Sequence, residues 1–278
     1  MKRLVVTADD FGRAVDVNEA IEEAFTRGVV TATSLMVAEP MAADAVERAK
    51  RLQGLRVGLH LVLVDGRPVL APERVPDLVD SRGLFRQSLL RASIAFLLSP
   101  AVRRQLAMEI EAQFDAFART GLALDHVNAH RHVHLHPVVA RLLLRIGARH
   151  GAKAMRVPVE PAPVLAEIEA GSKARAPGVG AWAQLLRRRF AAAGMTTPDQ
   201  VFGLAWSGAM TSSRLAGLIA HLPEGLSEIY LHPAKTARFA GAAPGYLYED
   251  ELAAVTDPAV IEAARASGAE RGGFSDFL

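Results

Sequence analysis

The chain contains no cysteine, which excludes disulfides, thiolate nucleophiles and cysteine-based zinc or iron–sulfur sites and leaves His, Asp and Glu as its metal ligands. It has little net charge: the formal value is +2, and the pI near 9.1 reflects an excess of arginine rather than a strong field. Nucleic acid is therefore not an expected partner. The runs Arg103-Arg104 and Arg187-Arg188-Arg189 have no accompanying aromatic ladder and read as solvated helix faces. Long apolar runs are also missing, since the most apolar stretch, Ser88 to Leu98, is interrupted by Arg91 and falls well short of the roughly 20 residues that span a bilayer. Such a stretch is still able to lie on a membrane or a lipid. No signal-peptide pattern opens the sequence, so the expectation is a cytoplasmic protein, with peripheral contact at the inner membrane left open. No Gly-x-Ser-x-Gly elbow occurs, and a covalent acyl-enzyme has no evident nucleophile.

What is present is an alternation of strand-like and helix-like segments over 278 residues, half of them apolar. Leu4 to Thr7, Thr31 to Val37, Leu55 to Leu61, Leu122 to Val127, Lys153 to Val157, Val201 to Ala205 and Leu226 to Leu231 read as strands. Between them, helices are expected from Asp16, where Asp16 and Glu19 suggest a capping box, from Pro40 to Leu52, and after Ser99-Pro100 as far as Phe117. Further helices are expected over Pro137 to Arg149, over Ala162 to Ala193 with a break at Ala176-Pro177-Gly178, over Ser212 to His221, and after Asp257-Pro258. The tail GAERGGFSDFL reads as irregular, and Val64 to Pro76, with three prolines and a glycine, as an active-site loop. Strands alternating with helices imply a parallel sheet, and about seven units in one chain predict an α/β fold: a single-domain (β/α) barrel related to the TIM barrel, spanning 1–278.

In such folds the active site lies at the carboxyl ends of the strands. Here those ends carry Asp9-Asp10, His60, the run AHRHVHLHP from Ala129 to Pro137, Arg156 and His232. Taken singly each has a structural explanation, such as a loop carboxylate, a core histidine or an arginine in an ion pair. Their convergence on one end of the sheet argues for a site. Two adjacent carboxylates repel unless a cation lies between them, where one ligates and the other stays free as a base. Asp10, His60 and His130 make a two-His-one-carboxylate face with open positions, and His134 is a further candidate ligand. That set suits zinc, magnesium or manganese for hydrolysis and equally iron(II) for oxygen chemistry.

With TADDFG at the first strand, GLHL at the third, HRHVH, Arg156-Val157-Pro158 and LHP at Leu231 to Pro233, the sequence resembles the YdjC-like carbohydrate deacetylases over most of its length. These are relatives of chitooligosaccharide deacetylase, and within them the chain most resembles the member associated with hopanoid biosynthesis. The resemblance implies a barrel of the glycoside hydrolase/deacetylase type and one divalent ion, magnesium or zinc, held by Asp10, His60 and His130. It also implies Asp9 as general base, His232 as general acid, Arg156 orienting the base, and His132 and His134 on the substrate side. Asn128 stands where many relatives carry Asp, and His136, at a position often aromatic in relatives, is not counted as a ligand. The implied reaction is hydrolysis of an acetamide on an amino sugar, the substrate being an N-acetylglucosaminyl hopanoid or a chitooligosaccharide. Trp182, Trp206, Tyr246 and Tyr248 are candidate sugar walls. A metal-dependent phosphoesterase, an iron oxygenase and a non-catalytic metal- or lipid-binding protein are the competing readings, and homo-oligomerisation is expected from base rates alone.

Overall fold

The computed structural model describes residues 1–172 and 177–278. Among the described residues seven strands, all parallel, form one sheet: β1 (Lys2–Phe11), β2 (Ala32–Leu35), β3 (Arg56–Leu61), β4 (Val127–Ala129), β5 (Gln200–Phe202), β6 (Gly225–Leu231) and β7 (Glu270–Arg271). Their order is β4-β3-β2-β1-β6-β5, with β7 beside the start of β1. The longest strand, β1, is central, and its residues Leu4 to Phe11 are buried, as expected of a parallel strand covered on both faces. The sheet curls into a half-barrel surrounded by helices, in keeping with the barrel expected from the alternating pattern.

The described residues form ten helices around it: α1 (Val15–Arg27), α2 (Ala42–Arg51), α3 (Leu89–Leu98), α4 (Pro100–Arg119), α5 (Pro137–Arg149), α6 (Ala162–Ile168), α7 (Pro177–Ala192), α8 (Ser212–Ala220), α9 (Tyr248–Thr256) and α10 (Pro258–Ala266). The caps follow local chemistry. Ser99 accepts from the Val102 N–H ahead of Pro100, Ser88 caps α3 through Arg91, and Asp257 caps α10 through Ala259. Val139, Leu142, Leu143 and Ile146 of α5 face the core as their spacing implies.

Four expectations need correction. The Asp16–Glu19 capping box does not form, because α1 begins at Val15 with Ala14 as its cap and Asp16 lies inside the first turn. Lys153 to Val157 supplies only single bridges, Ala154 to Thr196 and Met155 to Val127, and Pro158, which lacks an N–H, prevents the ladder from continuing. The Leu122 to Val127 strand begins only at Val127, while Asp125 turns its carboxylate to the C-terminal segment and accepts from the Phe274 and Ser275 N–H groups. That segment is correspondingly not irregular: it forms β7 and a 3-10 turn over Phe274–Phe277, with Phe274 and Phe277 buried. The sequence reading also missed α9. Of the break expected at 176–178, position 176 lies outside the described residues, and α7 begins at Pro177.

Candidate active site

Strand β1 delivers two consecutive carboxylates to one place by breaking its own register. Ala8 pairs with Thr33 and Phe11 with Leu35, so β1 has one residue more than β2 across this interval. The extra residue sits at a bulge where Asp10 has a φ of 69°, a left-handed conformation that costs a non-glycine residue on the order of 1–3 kcal/mol. In a regular strand Asp9 and Asp10 would point to opposite faces. Here both line the same cavity, of about 760 Å³. Gly12 completes the turn with a φ of 96°, and a Cβ there would come within 3.1 Å of the Ala42 Cα and the Met36 carbonyl.

Asp10 Oδ1 lies 3.3 Å from His60 Nε2 and 3.3 Å from His130 Nδ1. The three residues place their ligand atoms within 4.8 Å of one another, and both Asp10 Oδ1 and His60 Nε2 are buried without a hydrogen-bond partner. Buried polar atoms left bare in this way fit a cation ligand set. The tautomer of His60 also fits. Asn128 Nδ2 donates to Asp9 Oδ1 at 2.9 Å, so its Oδ1 accepts from His60 Nδ1 at 2.7 Å, which leaves a lone pair on Nε2. The carboxamide at position 128 is thus compatible with a role in the site. Burial pushes His130 down despite Asp10, keeping it neutral as ligation requires.

Asp9 is held differently. Arg156, fully buried, donates Nη1 to Asp9 Oδ2 at 2.5 Å and Nη2 to Asp9 Oδ1 at 3.0 Å, and Ser34 Oγ donates to Oδ1 at 2.8 Å. Arg156 also donates Nε and Nη2 to Glu228 Oε1, at 2.9 and 2.7 Å, and the Thr7 hydroxyl donates to the same oxygen. Burial works to raise the Asp9 pKa, but Arg156, His60 and His232 outweigh it and hold the carboxyl well below the usual range. For Asp10 burial is likewise outweighed, by Arg13 and His130, and Arg13 Nη1 bonds Asp10 Oδ2 at 3.1 Å.

His232, just past β6, lines the cavity between the rings of Tyr230 and Tyr246. Its backbone N–H donates to Glu251 Oε2 at 2.5 Å, and its Nδ1 lies 3.9 Å from the same oxygen. Burial raises the Glu251 pKa.

The histidine run separates by position. His130, Arg131 and His132 occupy a 3-10 turn in which Arg131 and His132 both have positive φ. His132 lines the cavity, bonds the Tyr230 hydroxyl through Nε2 at 2.9 Å, and is pushed down to about 3 by burial and Arg156. His134 is fully buried beneath it, with neither ring nitrogen bonded, and belongs neither to the ligand group nor to the cavity lining. His136 is a staple. Its Nε2 bonds the Ser93 carbonyl at 3.2 Å and its ring meets Phe96 edge-on. Of the expected sugar walls, Tyr246 and Tyr248 line the cavity. Trp182 donates Nε1 to the Leu135 carbonyl, and Trp206 is buried beneath Arg214.

Sequence reasoning missed Arg13, Ser34, Glu228 and Glu251. Ser34 and Glu228 had a signal, a polar residue inside an apolar strand (ATSL and GLSEIYL). Arg13, just ahead of α1, and Glu251, in the first turn of α9, had none, since both lie among ordinary polar residues.

The YdjC-like protein family profile matches residues 3–266. A carbohydrate deacetylase of Geobacillus stearothermophilus is 31% identical over 271 residues, covering 96% of this chain and 93% of that protein. One of Brevibacillus brevis is 40% identical over 157 residues, which take in 56% of this chain and 58% of that protein. Among solved structures, a protein of Enterococcus faecalis V583 described as a cellobiose-phosphate cleavage protein superposes with a TM-score of 0.78 at 24% identity, over 100% of this chain and 99% of that one. At that identity the likeness concerns the fold.

Proposed function

This chain belongs to the YdjC-like protein family, and on that premise we propose that it is a metal-dependent carbohydrate N-deacetylase acting on a lipid-linked N-acetylglucosamine, an acetylated glucosaminyl hopanoid. The observation that carries the chemistry is the placement, in one cavity, of a ligand set beside a restrained carboxylate: Asp10, His60 and His130 next to Asp9. Relatives matching over most of their length bear the name carbohydrate deacetylase.

Asp10, His60 and His130 would hold a divalent cation, which would supply Lewis acidity toward the acetamide carbonyl and toward water. Asp9 accepts the proton of the attacking water. A carboxylate held so far below its ordinary range is a weak base, so Arg156 contributes orientation rather than basicity, fixing both Asp9 oxygens. His232 donates a proton to the departing amine, which is too basic to leave as an anion. Glu251 accepts from the His232 backbone N–H and so fixes the chain that carries that imidazole. Leu89 in the cavity lining supports a substrate with an apolar aglycone.

A two-cation phosphoesterase would need a second ligand set beside the first. Among the described residues the other cluster, Glu111, Asp115 and His150, lies on the surface of α4 and beyond α5, away from the cavity lining.

The test is acetate release by metal-reconstituted protein from an N-acetylglucosaminyl hopanoid and, in parallel, from short chitooligosaccharides, each with Asp9→Asn and His232→Ala controls. Release from the lipid alone, abolished in both variants, is expected. Release from chitooligosaccharides alone would discard the hopanoid substrate and keep the chemistry. No acetate from either, with metal bound, would overturn deacetylation.

A further inference from the structure

Two surface features are unused by the reaction, and they adjoin. The first is the outer face of α3. Leu90, Ile94, Leu97 and Leu98 follow i, i+4, i+7, i+8 spacing and so form one stripe, and their exposures of 72%, 49%, 48% and 75% leave it bare. The inner face carries Ala92 and Phe96 into the core. A helix that only packs on a core has a polar outer face, whereas α3 is apolar on both sides, with exposed Arg91 among the leucines.

The second feature is a groove between α4 and α5 lined by Arg103, Arg104, Arg141 and Arg145. None of these four guanidinium groups has an ion-pair partner among the described residues, in contrast to Arg149 and Arg214, which hold Glu111 and Glu169. An adjoining depression is lined by Leu97, Arg103 and Arg141 together, which joins the apolar stripe to the basic groove. At the other end of α3, Leu89 lines the catalytic cavity.

We propose that this face docks on an anionic lipid bilayer surface, with α3 lying at the acyl boundary, the arginines against lipid phosphates, and the cavity rim at Leu89 brought to the membrane. Interfacial helices bury their apolar face at the headgroup boundary and draw binding strength from basic residues and anionic lipid together. A nucleic acid would leave the apolar stripe in water, and a purely apolar partner would strip water from unpaired guanidinium groups. The inference deepens the lipid-linked substrate proposed above, but its readout is separate, because vesicle binding is measured without turnover.

The experiment is co-sedimentation of the full chain with vesicles of equal phosphatidylcholine and phosphatidylglycerol, and with phosphatidylcholine alone. Binding to the anionic vesicles only, weakened by salt, is expected. A Leu90→Asp/Leu98→Asp variant should lose at least about tenfold in partitioning, and Arg104→Ser/Arg145→Ser about fivefold per arginine. Both variants should keep the thermal midpoint and the acetate release of the parent on whichever acetylated sugar it hydrolyses. Absent vesicle binding, equal binding to both vesicle types, or binding that survives in the variants would overturn the proposal. Arginine-dependent capture of duplex DNA without vesicle binding would overturn it as well.

Discussion

The carbonyl of Asn128 accepts from His60 Nδ1 at 2.7 Å while the same side chain's amide donates to Asp9 Oδ1 at 2.9 Å. One residue therefore sets the tautomer of a candidate cation ligand and the orientation of the adjacent carboxylate. Partners of this kind, one bond removed from the ligands, are typically worth about 10–100-fold in metal affinity. Asn128→Leu should lower divalent-ion affinity, read by calorimetry, by about that factor. Unchanged affinity would mean that Ser34, 2.9 Å from the same nitrogen, suffices.

Arg156 pairs with two buried carboxylates, Asp9 and Glu228. Arg156→Met would leave both uncompensated, and such a loss costs about 3–5 kcal/mol. Urea unfolding should show it as a lower midpoint. Arg156→Lys keeps the charge but not the two parallel bonds to Asp9. It should lose less stability while acetate release still falls steeply, and wild-type turnover in the lysine variant would contradict an orienting role.

Asp125 ties the C-terminal turn to β4 through Phe274, Ser275 and His126. Burial works to raise its pKa, but the bonds from His126 and Ser275 prevail and lower it to about 2 from 3.8. A lowered folded pKa gives stability that is complete above the unfolded value and disappears as the pH falls through the folded one. Asp125 should therefore contribute about 2 kcal/mol at neutral pH, lost between roughly pH 4 and pH 2. Denaturant titrations of the wild type and Asp125→Asn should diverge near pH 6 and converge near pH 2; a gap that does not depend on pH would refute the assignment.

His136 holds α3 through Ser93 and Phe96 and touches no ligand. His136→Ala should cost about 1–2 kcal/mol of stability and leave metal affinity unchanged, whereas His130→Ala should abolish tight binding. Equal loss of metal in both variants would show that the run acts as one ligand cluster.

Much of this was legible before folding was considered. The strand-end motifs named Asp9, Asp10, His60, His130 and His232, which line one cavity, because in a parallel sheet the carboxyl ends of successive strands gather on one side and chemistry at those ends announces itself as polar residues after apolar runs. What was illegible is the support. Besides Arg156, Asp9 draws on Ser34 and Asn128, which lie 25 and 119 residues away in the chain and were not tied to it by any motif. Glu251 looked like an ordinary helix residue until burial made its bonds obligatory, whereas Glu228 stood out only as a charge inside an apolar strand.

The sequence by itself determined the order of elements and the oxygen and nitrogen character of any ligand set, since periodicity and composition are local properties of the chain. Tertiary structure alone decided that Asp9 and Asp10 share one cavity, that His134 is sealed in the core while His132 faces the cavity, and that α3 presents leucines to solvent beside unpaired arginines. Each of these depends on the strand register, on a left-handed residue at the end of β1, or on which helix lies against which, and all three follow from packing between residues far apart in the chain.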